Sequence, residues 1–214
     1  GEDIVFGGAG TDTVFGGDKD DTVYGGSSSD LVYGGGDDDT AYGGSQNDTV
    51  YGGEDTDKVY GGLGDDRAYG GSHDDTVYGQ EGDDRVYGGA DDDKVFGGAG
   101  ADTVYGGNQD DTVYGGVGND TLDGGDGNDT LWGGDGADFF HYDKTEDADV
   151  VKDFQNNVDT VQFHHFEGVL TDYASALAFA TEISGDVLFD FGGGDTLLVE
   201  NVTKAQLAND IEIV

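Results

Sequence analysis

An aspartate stands at every ninth position from one end of a long stretch to the other: Asp3, Asp12, Asp21, Asp30, Asp39, Asp48, Asp57, Asp66, Asp75, Asp84, Asp93, Asp102, Asp111, Asp120, Asp129 and Asp138. A glycine pair precedes nearly every one of them at a fixed offset, as in "GGLGDD" and "GGVGND". A carboxylate is a hard oxygen donor, and a glycine loop leaves its main-chain carbonyls uncovered. Together they are the donor set of a hard divalent cation such as calcium, which takes about six to eight oxygens in a flexible shell. The rest of the composition agrees. There are 48 acidic against 8 basic residues, and the formal net charge is -40. That charge disfavours nucleic acid and anionic membranes, which need a basic patch. Cysteine is absent, so no disulfide framework or thiolate metal site is available. No apolar run approaches a membrane span, and no signal peptide is legible at the start. No nucleophile elbow, zinc-protease helix or phosphate loop is present, so the chain reads as non-catalytic.

The elements that must position these aspartates follow from the same repeat. From Gly7 to His141 the chain runs in register as fifteen nine-residue units, and Gly1 to Phe6 are the last six positions of one more. A chain that opens in mid-repeat reads as a piece of something longer. The unit is Gly-Gly-x-(Gly)-x-Asp-x-apolar-aromatic. The glycine pair permits positive φ and a sharp turn. The last three residues, such as "TVY" or "KVY", are β-branched and aromatic and suit a short strand. Strand alternation sends the eighth-position Val inward, and the seventh-position Thr, Lys or Arg and the ninth-position Tyr outward. Six turn residues and three strand residues make half a coil, so two such units close one full turn of a solenoid. The predicted architecture is all-β: two parallel sheets with glycine loops down both edges. Valine-sized side chains are too few to hold such a coil, and stacked aspartates repel along each edge. A cation between successive loops answers both difficulties.

The units resemble the RTX (repeats-in-toxin) calcium-binding nonapeptide, a parallel β-helix motif. The resemblance covers residues 1–141. It implies a parallel β-roll, with calcium held between adjacent turns by the sixth-position aspartates and by carbonyls such as those of Gly61, Gly62, Gly64, Gly115, Gly116 and Gly118. Two columns of loops imply roughly a dozen ions. The fifth-position acids, such as Asp20, Asp65 and Asp83, read as solvated or outer-shell. The fourth-position glycine is kept in some units and replaced in others by Lys19, Ser28, Asp37, Gln46, Asp55, His73, Asp91 or Gln109. One edge keeps it from Gly64 onward; the other lacks it from Lys19 to Gln109. If the position needs a left-handed backbone, each replacement costs about 1 kcal/mol and weakens that edge. Gln80 is a further lapse at a second-position glycine.

Residues 142–214 lack the repeat and read as a mixed β/α cap on the open end of the coil. "DADVVKDFQNNVDTVQF" alternates like strands around Asn156 and Asn157. "TDYASALAFATEIS" reads as a helix capped by Thr171, with Tyr173, Leu177, Ala180 and Ile183 on one face. A hairpin is expected around Gly192–Gly194, a helical turn at "KAQLA" and a last strand ending at Val214. The segment resembles the ends of proteins exported by type I secretion, including serralysin-type proteases, and "DIEIV" partly matches their tail. The functional expectation is a calcium-binding module, disordered at low calcium, that folds outside the cell and supports secretion and stability of a larger exported protein. That protein would be a protease, lipase, polysaccharide-modifying enzyme, adhesin, surface-layer protein or toxin, with the type I secretion machinery as partner and the cell surface or exterior as its place. The rival expectation is a surface-layer or adhesin-type module that binds polysaccharide, or itself, through two tyrosine faces. The bland reading of those faces is internal stacking. An ice-binding face fits less well, because no regular Thr or Asn array faces outward. His73, His141 and the pair His164–His165 read as structural, and Trp132 as packing near the cap.

Overall fold

The computed structural model describes all residues except 145–146, 165 and 167–168. Its strands form two sheets, one 12-stranded and one 10-stranded, and successive strands of the repeat region alternate between them. Within a sheet each repeat strand pairs in parallel with the next but one in sequence, as in Thr22↔Thr40, Val23↔Ala41 and Tyr24↔Tyr42. The expected parallel two-sheet solenoid is the observed fold, with 18 residues per turn.

The strands are longer than expected. Thr22–Ser27 has six residues, "TVYGGS", and the same length recurs through most of the repeat region. The glycine pair therefore lies in the strand, and its two members do different work. Gly25 is buried and faces the next turn and Asp30, where a Cβ would come within 2.6 Å of the Gly43 carbonyl oxygen. Close approach, rather than turning, fixes glycine at this position. Gly26 adopts φ 118° and bends the chain toward the edge loop. The period that matters is still two: the seventh and ninth positions are half-exposed, and the eighth position and the first glycine are buried.

The core is one column of small side chains between the sheets. Val23, Val32, Ala41, Val50 and their equivalents to Val113 are fully buried. It widens toward the C-terminal end through Leu122, Leu131 and Phe140 into a cluster with Tyr142, Phe163, Phe166 and Phe189.

Both sheets continue past His141. Ala148–Val151 extends the larger sheet through Leu131↔Val151, and Thr160–His164 extends the smaller through Phe140↔Val161. Asp195–Val199 and Ile211–Ile213 add one further parallel strand to each. The larger sheet then turns antiparallel, through Asp186–Gly192 and Ala180–Ile183. This finishes its edge with a hairpin, which blunts it against pairing with another chain. The expected turn around Gly192–Gly194 joins Asp186–Gly192 to Asp195–Val199, and Lys204–Leu207 is the expected helical turn.

The first helix departs from expectation. It runs only over Tyr173–Ala178, and its N-cap is Asp172, not Thr171. Asp172 accepts from the Ser175 amide at 2.8 Å, while the Ser175 hydroxyl accepts from the Asp172 amide at 3.1 Å. This reciprocal pair satisfies two amides that helix formation leaves open. Ala180 and Ile183 lie in a strand instead, paired with Phe189 and Asp186.

Candidate metal centre

The sixth-position aspartates form two buried columns, one along each edge of the coil. From Asp21 to Asp138 each is at most 5% exposed, and Asp120 and Asp129 are fully buried. Stacking sets their geometry. The amide of Asp57 donates to Asp75 Oδ1 at 2.7 Å, and that of Asp66 to Asp84 Oδ1 at 2.7 Å. The same bond links Asp3 to Asp21 at 2.6 Å and is repeated along both columns. The Asp57 carbonyl in turn accepts from the Thr76 amide at 2.9 Å, where the next strand begins. One oxygen of each carboxylate from Asp21 to Asp138 thus serves the backbone. The other, Oδ2, is buried without a hydrogen-bond partner at every sixth-position aspartate from Asp12 to Asp138.

Burying a charged oxygen unpaired is costly, and the proton affinities record it. Burial pushes the carboxyls of Asp75 and Asp111 up to about 8, against the lowering effect of the amide bond from the preceding turn. Asp57, Asp66, Asp84, Asp93 and Asp102 rise to about 7 for the same first reason, with neighbouring carboxylates adding to it. Asp39, Asp48, Asp120, Asp129 and Asp138 rise to about 6.

A second oxygen lies beside the orphans from Asp30 to Asp120. Asp66 Oδ2 and the Gly79 carbonyl oxygen of the next turn both lie 2.7 Å from the point a Cβ on Gly61 would occupy. At Gly115 the equivalent pair is Asp120 Oδ2 and the Gly133 carbonyl, both at 2.6 Å. From Gly25 to Gly115 the hollow left by the first-position glycine is therefore lined by oxygens from two turns. Among the described residues no three acidic or imidazole side chains converge into a ready-made cage. A hard cation fits this edge only by combining carboxylate and main-chain oxygens, the mixed donor set that calcium accepts.

The sequence-predicted carbonyls divide into two groups. Those of Gly61 and Gly115 lie in the hollows at Gly43 and Gly97, beside Asp48 Oδ2 and Asp102 Oδ2. Those of Gly64, Gly116 and Gly118 lie against Gly82, Gly134 and Gly136 of the following turn, and Gly62 itself sits over the Gly44 carbonyl.

The fourth position is left-handed in every loop, whatever residue fills it. φ is 114° at Gly64 and 126° at Gly82, and it is 71° at Asp55, 76° at His73, 77° at Asp91 and 73° at Gln109. Gln80, at a second position, takes 87°. The two edges differ in consequence. On the glycine-keeping edge, Gly64, Gly82, Gly100 and Gly118 donate to the third-position carbonyls of Glu81, Ala99, Val117 and Asp135 at 2.8–2.9 Å. On the other edge Lys19 and Gln109 make this bond, to Gly36 and Asp126. The fifth-position acids are exposed rungs between loops: Asp65 Oδ1 accepts from the Asp83 amide at 3.1 Å, and Asp92 Oδ1 from Asp110 at 3.2 Å.

Three further aspartates join the columns from beyond the repeats. Asp149 and Asp159, both 2% exposed, occupy the next rungs. The Asp129 amide donates to Asp149 Oδ1 at 2.9 Å, and the Asp138 amide to Asp159 Oδ1 at 3.1 Å. Asp159 Oδ2, unlike the orphans, accepts from the Gln155 amide at 2.7 Å. Asp153 takes the amides of Gly133 and Gly134 at 2.9 and 3.0 Å. Burial and the Asp129 carboxylate push Asp149 up to about 8. The nonapeptide offsets miss these residues, because the spacing changes to 20 and 21. The surviving signal is the triplet Asp-x-apolar in "DVV" and "DTV".

The aromatics stack as two ladders on the outer faces. On one, Phe6, Tyr24, Tyr42, Tyr60, Tyr78, Phe96, Tyr114 and Trp132 follow one another at 4.6–4.9 Å between centroids. On the other, Phe15 to Tyr105 do so at 4.7–5.0 Å. His141 and His164 lie side by side at 4.4 Å, His73 is exposed in its loop, and His165 lies outside the described residues.

The protein-family comparison matches the RTX calcium-binding nonapeptide repeat (4 copies) to residues 6–41, 33–68, 69–104 and 105–140. No curated protein matches. Among solved structures, the extracellular lipase LipA from Serratia marcescens is 16% identical, with a TM-score of 0.39, over 83% of this chain and 40% of the lipase. The chain thus spans less than half the length of that lipase. The AlgE6R3 subunit from the Azotobacter vinelandii mannuronan C5-epimerase is 29% identical, with a TM-score of 0.36, over 66% of this chain and 79% of that subunit. With four family matches running from Phe6 to Phe140, over a coil whose every turn repeats the same aspartate rung, the chain belongs to the RTX calcium-binding nonapeptide repeat family.

Proposed function

We propose that this chain is a calcium-triggered folding module of a larger exported protein. The single observation that carries the reading is the row of orphaned Oδ2 atoms from Asp12 to Asp138. A coil with no cation must either protonate these carboxylates or leave them charged and unpaired, and both oppose closure near neutral pH. Calcium between loops neutralises them and ties each turn to the next. In this reading the ligands are the sixth-position aspartates from Asp3 to Asp138 with glycine-loop carbonyls such as those of Gly61 and Gly115, which lie beside Asp48 Oδ2 and Asp102 Oδ2. Extracellular calcium modules bind at roughly 0.1–1 mM, so the chain stays open at cytosolic calcium and closes outside, after export by a type I machinery. Residues 142–214 serve as the end on which the last turn is built. The tyrosine ladders support an internal role, since each ring face is taken by its neighbour and little of it is offered to a sugar.

Circular dichroism of the full chain with calcium or excess chelator tests the proposal. Strand signal should appear cooperatively with calcium and vanish on chelation. An unchanged spectrum in chelator at neutral pH sinks it.

A further inference from the structure

The two edges of the coil carry very different external charge. At the third to fifth loop positions, the edge of Asp3 and Asp21 bears twelve acidic residues, and the edge of Asp12 and Asp30 bears four. On the acid-rich edge Asp74, Asp92 and Asp110 stand exposed in three successive turns, and Asp37, Asp38 and Asp55 are exposed above them.

The basic residues are also concentrated. Of the eight in the chain, Lys58, Arg67, Arg85 and Lys94 all occupy the outward seventh position of the middle turns. All four are exposed, and among the described residues none forms an ion pair; the pairs formed are Gly1–Asp3 and Lys152–Glu200. Arg67 and Arg85 are direct register partners on neighbouring strands. Like charges placed directly opposite destabilise a sheet, and the usual occupant of this position in the chain is threonine. Both arginines begin strands that leave the acid-poor edge. One flank of the coil therefore carries an arginine pair, set beside the exposed Asp65 and Asp83 of the same loops, and the opposite edge an unbroken acidic ribbon. Both have the pitch of the coil, 4.8 Å between the stacked rings of Tyr69 and Tyr87.

We infer that these two patches bind each other between copies of the same chain, with Arg67 and Arg85 of one copy against the Asp74–Asp92–Asp110 ribbon of the next. Charge complementarity and a shared pitch select this occupant, because any other turn of the ribbon meets the arginines with the same spacing. Arginine suits the role through its planar fork of donors, which grips carboxylates in pairs. The contact joins unlike patches, so it is heterologous and propagates side by side rather than closing as a dimer.

Sedimentation velocity of the full chain in millimolar calcium tests it. At low salt the sedimentation coefficient should rise with loading concentration, and raised salt should return it to the monomer. R67E/R85E and D74K/D92K should each weaken association about tenfold, and the quadruple variant should restore it. A monomer at every concentration, or oligomers indifferent to both reversals, overturns the inference. So does association that survives R67E/R85E but not D74K/D92K, the pattern of calcium bridging two acidic edges. If a reversed variant loses its strand signal in calcium, carbodiimide coupling of R67K/R85K decides instead. Cross-links from position 67 or 85 to Asp74, Asp92 or Asp110 of another copy support the contact; cross-links elsewhere, or none, overturn it.

Discussion

Asp55, His73, Asp91 and Gln109 hold left-handed backbones, with φ between 71° and 77°, on the edge that lacks glycine. Each non-glycine residue in that region costs about 1 kcal/mol. Glycine returns roughly half of this through its greater freedom in the unfolded chain. Replacing all four by glycine should therefore stabilise the calcium-loaded coil by about 2 kcal/mol. Shared over roughly six ions on that edge, this lowers the calcium midpoint about 1.8-fold. Because the substitution also removes two acids, Asp55→Asn with Asp91→Asn serves as the charge control, with its Cβ retained. Isothermal calorimetry and calcium titration by circular dichroism measure the shift. The reverse change, Gly82→Gln with Gly100→Gln, should be far more harmful. A Cβ at either site drives into the carbonyl of the preceding loop, Gly64 or Gly82. An unchanged midpoint in the four-glycine variant, or a shift matched by the asparagine control, would refute the view that backbone strain limits this edge.

Protons and calcium should compete for the columns. Folded carboxyls raised to between about 6 and 8, such as Asp48 and Asp75, favour the metal-free coil fully below the unfolded value near 3.8, and lose that contribution as pH rises through 6 to 8. In chelator the strand signal should therefore grow on acidification, while in calcium the midpoint should rise as pH falls below about 6; a midpoint independent of pH would contradict both. A fragment ending near His141 lacks Asp149, Asp153 and Asp159, the rungs that bind the amides of Asp129, Gly133, Gly134 and Asp138. It should fold poorly or aggregate in millimolar calcium where the full chain folds reversibly. Equal midpoints and monomeric light scattering for both would make the last residues a passive tail.

Much of the coil was legible because its constraints are local and repeated. Asp-x-Val-Tyr after a glycine pair states which side chain goes in, which goes out and where the carboxylate sits. The left-handed fourth position was legible too, since glycine alternates there only with residues that can bear the strain. Strand length was not. The first glycine of each pair is fixed by the carbonyl of the following turn, as Gly25 is by Gly43, and that contact looks like turn chemistry until the turns are stacked. Asp149 and Asp159 were missed because insertions break the nine-residue count while the coil itself continues. At Asp172 a local competitor decided the outcome: Thr171 is as good a cap by type and its amide also donates to the Ser175 hydroxyl, but it is the Asp172 carboxylate that accepts from the Ser175 amide.

The pairing of every repeat strand with the one a full turn later also fixes how the coil carries load. All its inter-turn hydrogen bonds run along the axis, so tension between the two ends of the coil opens one rung after another rather than shearing many at once. Each turn released pays out 18 residues, about 60 Å of extended chain, against a few ångströms of coil lost. Under tension the coil is an extensible tether that lengthens in discrete steps of one turn.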